Sequence, residues 1–323
     1  MAFTSIKTTG GWADNSVQAA YDLKFNWALR HGRLFEPLVD FQPQQVAHPG
    51  SSIKVSLNQY YTTADVVAAT TPLDEETDVT PQKLPATTQI TFTPQEYGFA
   101  NQWTIKLAKR GLTPVDPVIA TAVATHCKDT IDYLVQTAMR AGTNVTRPAG
   151  RAGTVNIVQN ATDYLKATMV RQAVTKLRGR AAQPRDGQFY GGVLHPTPIH
   201  DFRGESGSGS WRVPSEYGQS QAQIWNGEFG EFEGVRWVST ATAFRAADND
   251  GATSAKVHRG FILGREAMGK AVVSDPTTVM SPITDKLQRW RGLGWKADLD
   301  YKVYRNESLE RLEATSSIDA TAV

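Results

Sequence analysis

Between Val46 and Ile105 two runs alternate apolar and polar positions, and an acidic, proline-bearing stretch separates them. The outgoing run, Ser52 to Tyr60, and the return run, Gln89 to Thr93, each place apolar residues at every second position. That period predicts two strands with one apolar face apiece. Between them lie Asp65, Asp74, Glu75, Glu76 and Asp78, with Pro72, Pro81 and Pro85. A lone two-stranded ribbon is marginal in water. A β-arm this long is therefore expected to be covered by another subunit, which points to assembly rather than catalysis.

Helical spacing dominates elsewhere. Asp14 or Ser16 opens a predicted helix through Val17, Ala20, Tyr21, Leu23, Trp27 and Leu29 that stops at Gly32. A second apolar stretch, Leu34 to Val39, leads to Phe41 and Pro43, and the whole first segment reads as an N-terminal arm that lies on another surface, that of an adjacent subunit, without forming a core. Asp116-Pro117 opens the longest helix, running to about Met139. Ile119, Val123, Cys127, Ile131, Leu134 and Ala138 line its apolar face, with Thr121, Lys128, Asp132 and Gln136 placed elsewhere. Residues 143–154 read as a loop, and Asp163 is the expected cap of a helix ending at Gly179.

Phe189 to His195 is a predicted buried strand that exits at Pro196, where two prolines argue against a helix. Residues 204–210 read as a flexible loop. Strands are expected over 232–238, 256–263, 290–304 and 309–313, the last two joined near Arg305 to Glu307. The tail from Ala314 is expected to be loosely held. Helices and strands mixed in this order predict an α+β fold.

Composition narrows the function. A chain of 323 residues with 40% hydrophobic content can bury a sizeable core. A net charge of +2 is too mild for a dedicated nucleic-acid binder. The single cysteine, Cys127, excludes an intrachain disulfide and fits synthesis in a reducing cytoplasm. The N-terminus lacks the apolar core of a signal peptide, and no stretch is long and apolar enough to span a membrane.

Charge is unevenly spread. The β-arm carries six acids against Lys54 and Lys83, a net of −4. Lys166, Arg171, Lys176, Arg178, Arg180 and Arg185 make one helix and its exit basic, and Arg289 and Arg291 add to the later strands. Opposite charges on interlocking copies favour correct register more than affinity. Asp65, Asp74, Glu75, Glu76, Asp78, Lys83, Arg171, Arg178 and Arg180 are therefore candidate inter-subunit contacts.

Candidate chemistry is thin. His195 and His200 flank Pro196 to Ile199 without the spacing of a zinc motif, so a strand exit is the better reading than a metal site. Cys127 sits on an apolar stripe, where a thiol acts as a small buried hydrophobe. Gly207-Ser208-Gly209 and Gly269-Lys270 lack the remaining positions of phosphate-binding loops. Asp74-Glu75-Glu76 reads as a solvated acidic turn.

The order of N-terminal arm, long β-arm, long helix, α+β domain and returning strands resembles the major capsid proteins of tailed phages, with the Hong Kong 97-type fold. Gly234 to Thr240, Gly294 to Ala297 and Arg311 to Glu313 look more narrowly like the phage N4-like branch. The resemblance implies an N-terminal arm (1–45), an extended β-loop (46–108), a peripheral domain with a spine helix (109–142), an axial domain (143–270) and returning peripheral strands with a C-terminal tail (271–323). It implies hexamers and pentamers of an icosahedral head around double-stranded DNA, a virion component made in the host bacterial cytoplasm. Too few residues precede the β-arm to supply a built-in scaffold, so a separate scaffolding protein is expected, along with a portal and cement proteins. Neither a cofactor nor a metal is expected.

Lys7, Lys24, Arg30 and Arg33 are candidate DNA-facing residues, making sequence-insensitive phosphate contacts. The type member's lysine–asparagine crosslink is not assigned to Lys83 and Asn306. Rival readings are a small-molecule hydrolase using His195, His200 or Asp201, and a phage tail component.

Overall fold

The structure is a computed structural model that describes residues 35–43, 52–58, 61, 63–70, 72, 75, 76, 78, 81, 83–110, 115–205, 228–241, 250–280, 287 and 289–320. The helix expected over 14–32 and residues 206–210 of the flexible loop lie outside these. In chain order the described elements are β1 (Ile53–Leu57), α1 (Thr63–Ala68), β2 (Thr88–Phe92), β3 (Gln95–Thr104), α2 (Ile105–Arg110), α3 (Val115–Arg140), β4 (Val145–Thr146), α4 (Ala167–Gly179) and β5 (Tyr190–Leu194). There follow α5 (Pro196–Gly204), β6 (Glu228–Phe232), β7 (Val235–Ser239), β8 (His258–Leu263), β9 (Met268–Met280), β10 (Trp290–Val303), β11 (Leu309–Ala314) and α6 (Ser317–Ala320). Three sheets result, in the orders β1-β2, β3-β10-β9 and β4-β11-β8-β5-β7-β6. The α+β class is as expected.

The six-stranded sheet separates two cores. On one face α4 and α5 bring Val170, Leu177 and Phe202 against Leu194, Trp237, Ile262 and Leu312. On the other, Val193, Phe261 and Leu263 pack with Val123, Ile131 and Met139 of α3 and Trp295 and Leu299 of β10. Neighbours Phe261 and Ile262 point into different cores, as the two-residue period of a strand requires. β8 is buried along its whole length, including His258 and Arg259 at its start, and its apolar run covers Gly260 to Leu263. Each fully buried large side chain contributes about 1.5–3 kcal/mol.

The long helix is present as expected, with Val123, Ile131, Val135 and Met139 buried and Cys127 packed beside them. Two residues placed off its apolar face are buried as well. Asp132 accepts a hydrogen bond from the Phe35 backbone N–H (3.0 Å) and another from the Gln136 amide (3.1 Å). Phe35 is fully buried in the second core, with Leu38 and Val39 packed against it, so this part of the N-terminal arm joins a core of its own chain, where the sequence predicted that it forms none. Arg185 fastens the same segment by donating to the carbonyls of Pro37 and Leu38, both at 2.7 Å, and by pairing with Asp40.

Other departures have local causes. Residues 196–204 form α5 despite two prolines, because both sit in the first turn, where the missing N–H is unneeded. His195 caps that helix by accepting from the Thr197 N–H (3.3 Å). Asp163 does not cap α4; it accepts from Arg151 Nε (2.9 Å) and the Val158 N–H (2.7 Å), while the Glu205 carboxylate takes the Ala167 N–H (2.7 Å). The strand expected over 232–238 is a hairpin, turning at Glu233 (φ 53°) and Gly234 (φ 76°) as a tight two-residue turn demands. Within the expected loop over 143–154, Val145 and Thr146 form β4, paired in parallel with β11.

β9 was not anticipated. Pro276 sits inside it, tolerated because β9 is an edge strand and its ladder with β10 shifts register near that point. β10 and β11 do not form a hairpin, since they lie in different sheets. The segment from Ala314 to Ser316 is buried, and the short helix α6 follows it. The Thr315 N–H donates to the Asp163 carbonyl (3.0 Å) and the Ser317 N–H to Asp201 Oδ2 (2.8 Å), so this part of the tail is tied down.

Candidate functional site

β1 and β2 pair antiparallel, Ile53 opposite Phe92 through Leu57 opposite Thr88, matching the expected ribbon. Its root is clamped to the body. Phe92 is fully buried and lies so close to Gly269 that a Cβ there would come within 2.8 Å of the ring. The Thr93 N–H donates to Asp300 Oδ2 (2.8 Å), and Lys302 Nζ donates to the Thr91 carbonyl (2.6 Å). Beyond the root, the inner face of the ribbon faces a cleft of about 840 Å³ lined by Leu57, Ile90, Arg180, Arg265 and Tyr304.

The connection between the strands carries exposed apolar side chains, Tyr61, Val66, Val67 and Leu84, the last 83% exposed. Asp65, Glu75, Glu76, Asp78 and Lys83 are exposed too; Asp74 lies outside the described residues. Charged and apolar groups presented together on a thin projection suit a wet-rimmed contact with another surface.

Of the basic residues nominated on and just after α4, Arg171 and Arg180 have partners in their own chain. Arg171 Nε pairs with Glu233 at 2.7 Å, and the Arg178 guanidinium lies 2.8 Å from where a Cβ on Gly234 would stand. Arg171 thus ties down the left-handed turn between β6 and β7, and Arg178 lies against it. Arg180 pairs with Glu310, whose other oxygen accepts from the Thr146 hydroxyl (2.5 Å). Lys7, Lys24, Arg30 and Arg33 lie outside the described residues.

A second carboxylate on β11, fully buried Glu313, is met by Arg147 (2.7 Å), Arg311 (3.0 Å) and the Thr154 hydroxyl (2.8 Å), with Arg259 at 3.6 Å. Burial alone would raise its pKa, but the Thr154 hydrogen bond and the charges of Arg311 and Arg147 outweigh burial and hold the carboxyl below its usual 4.5. A depressed folded-state value means that ionised Glu313 stabilises the fold above pH 4.5 and loses that contribution as pH falls through the lower value. The expected result is a fall in Tm on the acid side of pH 4.5. In an E313Q variant, already less stable at pH 7, that fall is shallower; equal slopes in the two melting series would contradict the assignment.

The contacts around His195 do not line up as a catalytic relay through His258. His195 stacks on His258 with ring centroids 5.0 Å apart. The Thr197 hydroxyl lies 3.1 Å from His258 Nε2, and Asp319 contacts the same nitrogen. A hydroxyl–imidazole–carboxylate relay needs the two groups on opposite ring nitrogens. His200 is exposed, and Asp201 is engaged with Ser317. Among the described residues no group of three or more His, Cys, Asp or Glu side chains could hold a metal ion. No described helix is long and apolar enough to cross a membrane.

Sequence reasoning missed the Glu313 cluster and the Asp132 anchor. Arg311 to Glu313 alternates charge along a strand, a pattern that reads as solvent-facing unless the partners from residues 147, 154 and 259 are known.

A model of a family described as phage capsid protein matches residues 114–302. No curated protein matches the chain by sequence. Among solved structures, the capsid of the cyanophage Pam1 superposes with a TM-score of 0.65 at 14% identity, covering 97% of this chain and 98% of that one. The head of the Helicobacter pylori bacteriophage KHP40 gives 0.65 at 10% identity, covering 91% and 94%. The capsid of the cyanophage P-SCSP1u gives 0.64 at 14%, covering 96% of each chain. At these identities the likeness is one of fold, the Hong Kong 97 type.

Proposed function

The chain belongs to the family of phage capsid proteins, and from that premise we propose that it builds an icosahedral head by lateral association of identical copies into hexamers and pentamers. The family and the fold point to a structural role rather than an enzymatic one. The observation that carries the mode of assembly is the β1-β2 ribbon. It is clamped at its root by Phe92, yet its connection offers Val66, Val67 and Leu84 to solvent. A neighbour that covers those side chains removes apolar surface from water at about 25 cal/mol per Å². Each contact is modest, and closure of a symmetric shell repeats it in every copy.

The same reading assigns packaged double-stranded DNA, held by sequence-insensitive contacts from Lys7, Lys24, Arg30 and Arg33, and a separate scaffolding protein, a portal and cement proteins as partners. It places synthesis in the host bacterial cytoplasm and kinship in the phage N4-like branch. Electron microscopy of the purified full-length chain, alone and with its scaffolding protein, is the direct test. Rings or closed shells are expected; tubes would favour a tail component, and a small discrete species that never assembles would contradict the proposal.

A further inference from the structure

We infer that His195, Thr197 and His258 form a proton-operated latch that holds the C-terminal segment, Thr315 to Ala320, on the first turn of α5, and that acid opens it. The inference does not depend on the assembly proposed above.

The latch joins elements that are distant in sequence. His195 follows β5 and caps α5, His258 opens β8, and Asp319 lies on α6. His195 and His258 are 9% and 3% exposed, and their rings stack with centroids 5.0 Å apart. The Thr197 hydroxyl stands between them, 2.8 Å from His195 Nδ1 and 3.1 Å from His258 Nε2, the nitrogen that Asp319 also contacts. Thr197 seats the tail as well: its carbonyl accepts from the Ser316 hydroxyl at 3.0 Å. One turn further on, Asp201 takes the Ser317 N–H (2.8 Å) on one carboxylate oxygen and the Ser317 hydroxyl on the other.

Donor and acceptor roles fix where the protons sit. The Thr197 backbone N–H can only donate, so His195 Nδ1, which receives it at 3.3 Å, is bare. The Thr197 hydroxyl then donates to that same nitrogen and accepts from the N–H at His258 Nε2, which also faces the Asp319 carboxylate. A proton placed on His195 Nδ1 removes the acceptor of both Thr197 donors at once. It also sets a cation against the neighbouring imidazole. The cap on α5 is lost, and with it the placement of the carbonyl that holds Ser316.

The charged groups packed around the cluster are otherwise engaged. Asp319 faces His258, Asp201 is taken by Ser317, and exposed His200 lies 3.5 Å from Asp201. Arg259, next on β8, turns to Asp250 and Glu313, Glu205 at the end of α5 accepts from the Ala167 N–H, and Asp163 beside Thr315 pairs with Arg151. His258 carries a proton on Nε2 in either charge state, so its bond to Asp319 persists while His195 titrates. Histidine ordinarily titrates near about pH 6.5, which separates this event from the loss of the Glu313 contribution below pH 4.5.

The test is hydrogen exchange in the dissociated full-length chain, read by mass spectrometry over residues 314–320 and corrected for the intrinsic effect of pH. From about pH 7.5 to about pH 5.5 exchange of this segment is expected to accelerate, by up to about tenfold per pH unit, the ceiling for one proton. His195→Asn keeps an acceptor for the Thr197 N–H, since asparagine caps helices well, and takes up no proton; its exchange is expected to stay flat. A flat profile in the parent would overturn the inference, and so would an H195N profile that climbs as the parent's does. Should H195N misfold, Asp319→Asn separates the two imidazoles. Acid acceleration that survives in D319N supports His195 as the trigger, and acceleration that vanishes there assigns the proton to the His258–Asp319 pair and refutes the latch.

Discussion

A chain lacking residues 65–85 is expected to fold, stay soluble and build no particles. The deletion leaves β1 and β2 intact, and nine residues still link Leu57 to its partner Thr88, enough for an ordinary hairpin loop. Phe92, the Asp300 contact to Thr93 and the Lys302 contact to Thr91 all lie outside the excised segment. Neither core loses a side chain, so the melting temperature of the dissociated subunit is expected to stay within a few degrees of the parent. What disappears is the exposed apolar and acidic surface to which the proposed contact between copies is assigned. Size-exclusion chromatography and negative-stain microscopy decide the matter. Shells of normal size from the shortened chain would remove the role given to the projection.

Replacing Trp237 with alanine is expected to destabilise the subunit by about 3–5 kcal/mol, the usual cost of emptying a fully buried aromatic site. Trp237 is fully buried on β7 and packs against Phe202 of α5, ring centroids 6.4 Å apart. Across the sheet stands Gly192, where a Cβ would lie 2.4 Å from the indole and 2.6 Å from Val235. Gly192→Ala should therefore cost about 1–3 kcal/mol by overpacking. The two changes share one space, so the pair is expected to be less damaging than the sum of the singles, a coupling that a double-mutant cycle in urea reads directly. Additive values would show that the indole and the glycine do not compete for that volume.

The sequence made the ribbon and the long helix legible because both periods are local. Alternation between Ser52 and Tyr60 and the three-and-four spacing from Ile119 to Ala138 need no knowledge of distant partners. The family followed from element order, and the superpositions and the family match agree with it. Asp132 and Gln136 were placed off the apolar face because the Phe35 N–H that Asp132 accepts from lies 97 positions away, and Gln136 is buried with that carboxylate by donating to it. Proline was read as a helix breaker at residues 196 and 198, although first-turn prolines do no such harm. β9 escaped notice because its second half is exposed and polar, with Asp275-Pro276 in its middle, so no period marks it. The tail from Ala314 looked loose because small polar residues reveal burial only through contacts such as Thr315 to Asp163.

Of the candidate contacts, the acids of the connection were nominated from composition, and Asp65, Glu75, Glu76 and Asp78 among them are exposed. The basic side was harder. A run of arginines on and just after one helix drew attention to α4, and their partners Glu233 and Glu310 lie 62 and 130 positions away, beyond the reach of a local pattern.

β9 and β10 are 13 and 14 residues long, about 45 Å at the rise of an extended strand. One end of β9 is gripped by the second core, and the other, from Val273 to Met280, stands exposed. Mechanically this is a cantilever, and its section is weakest where the register slips between Lys296 and Leu299. A load applied at the exposed tip is expected to bend the beam there first, so that, in a shell tiled as proposed, the gripped roots stay rigid while the tips follow different curvatures.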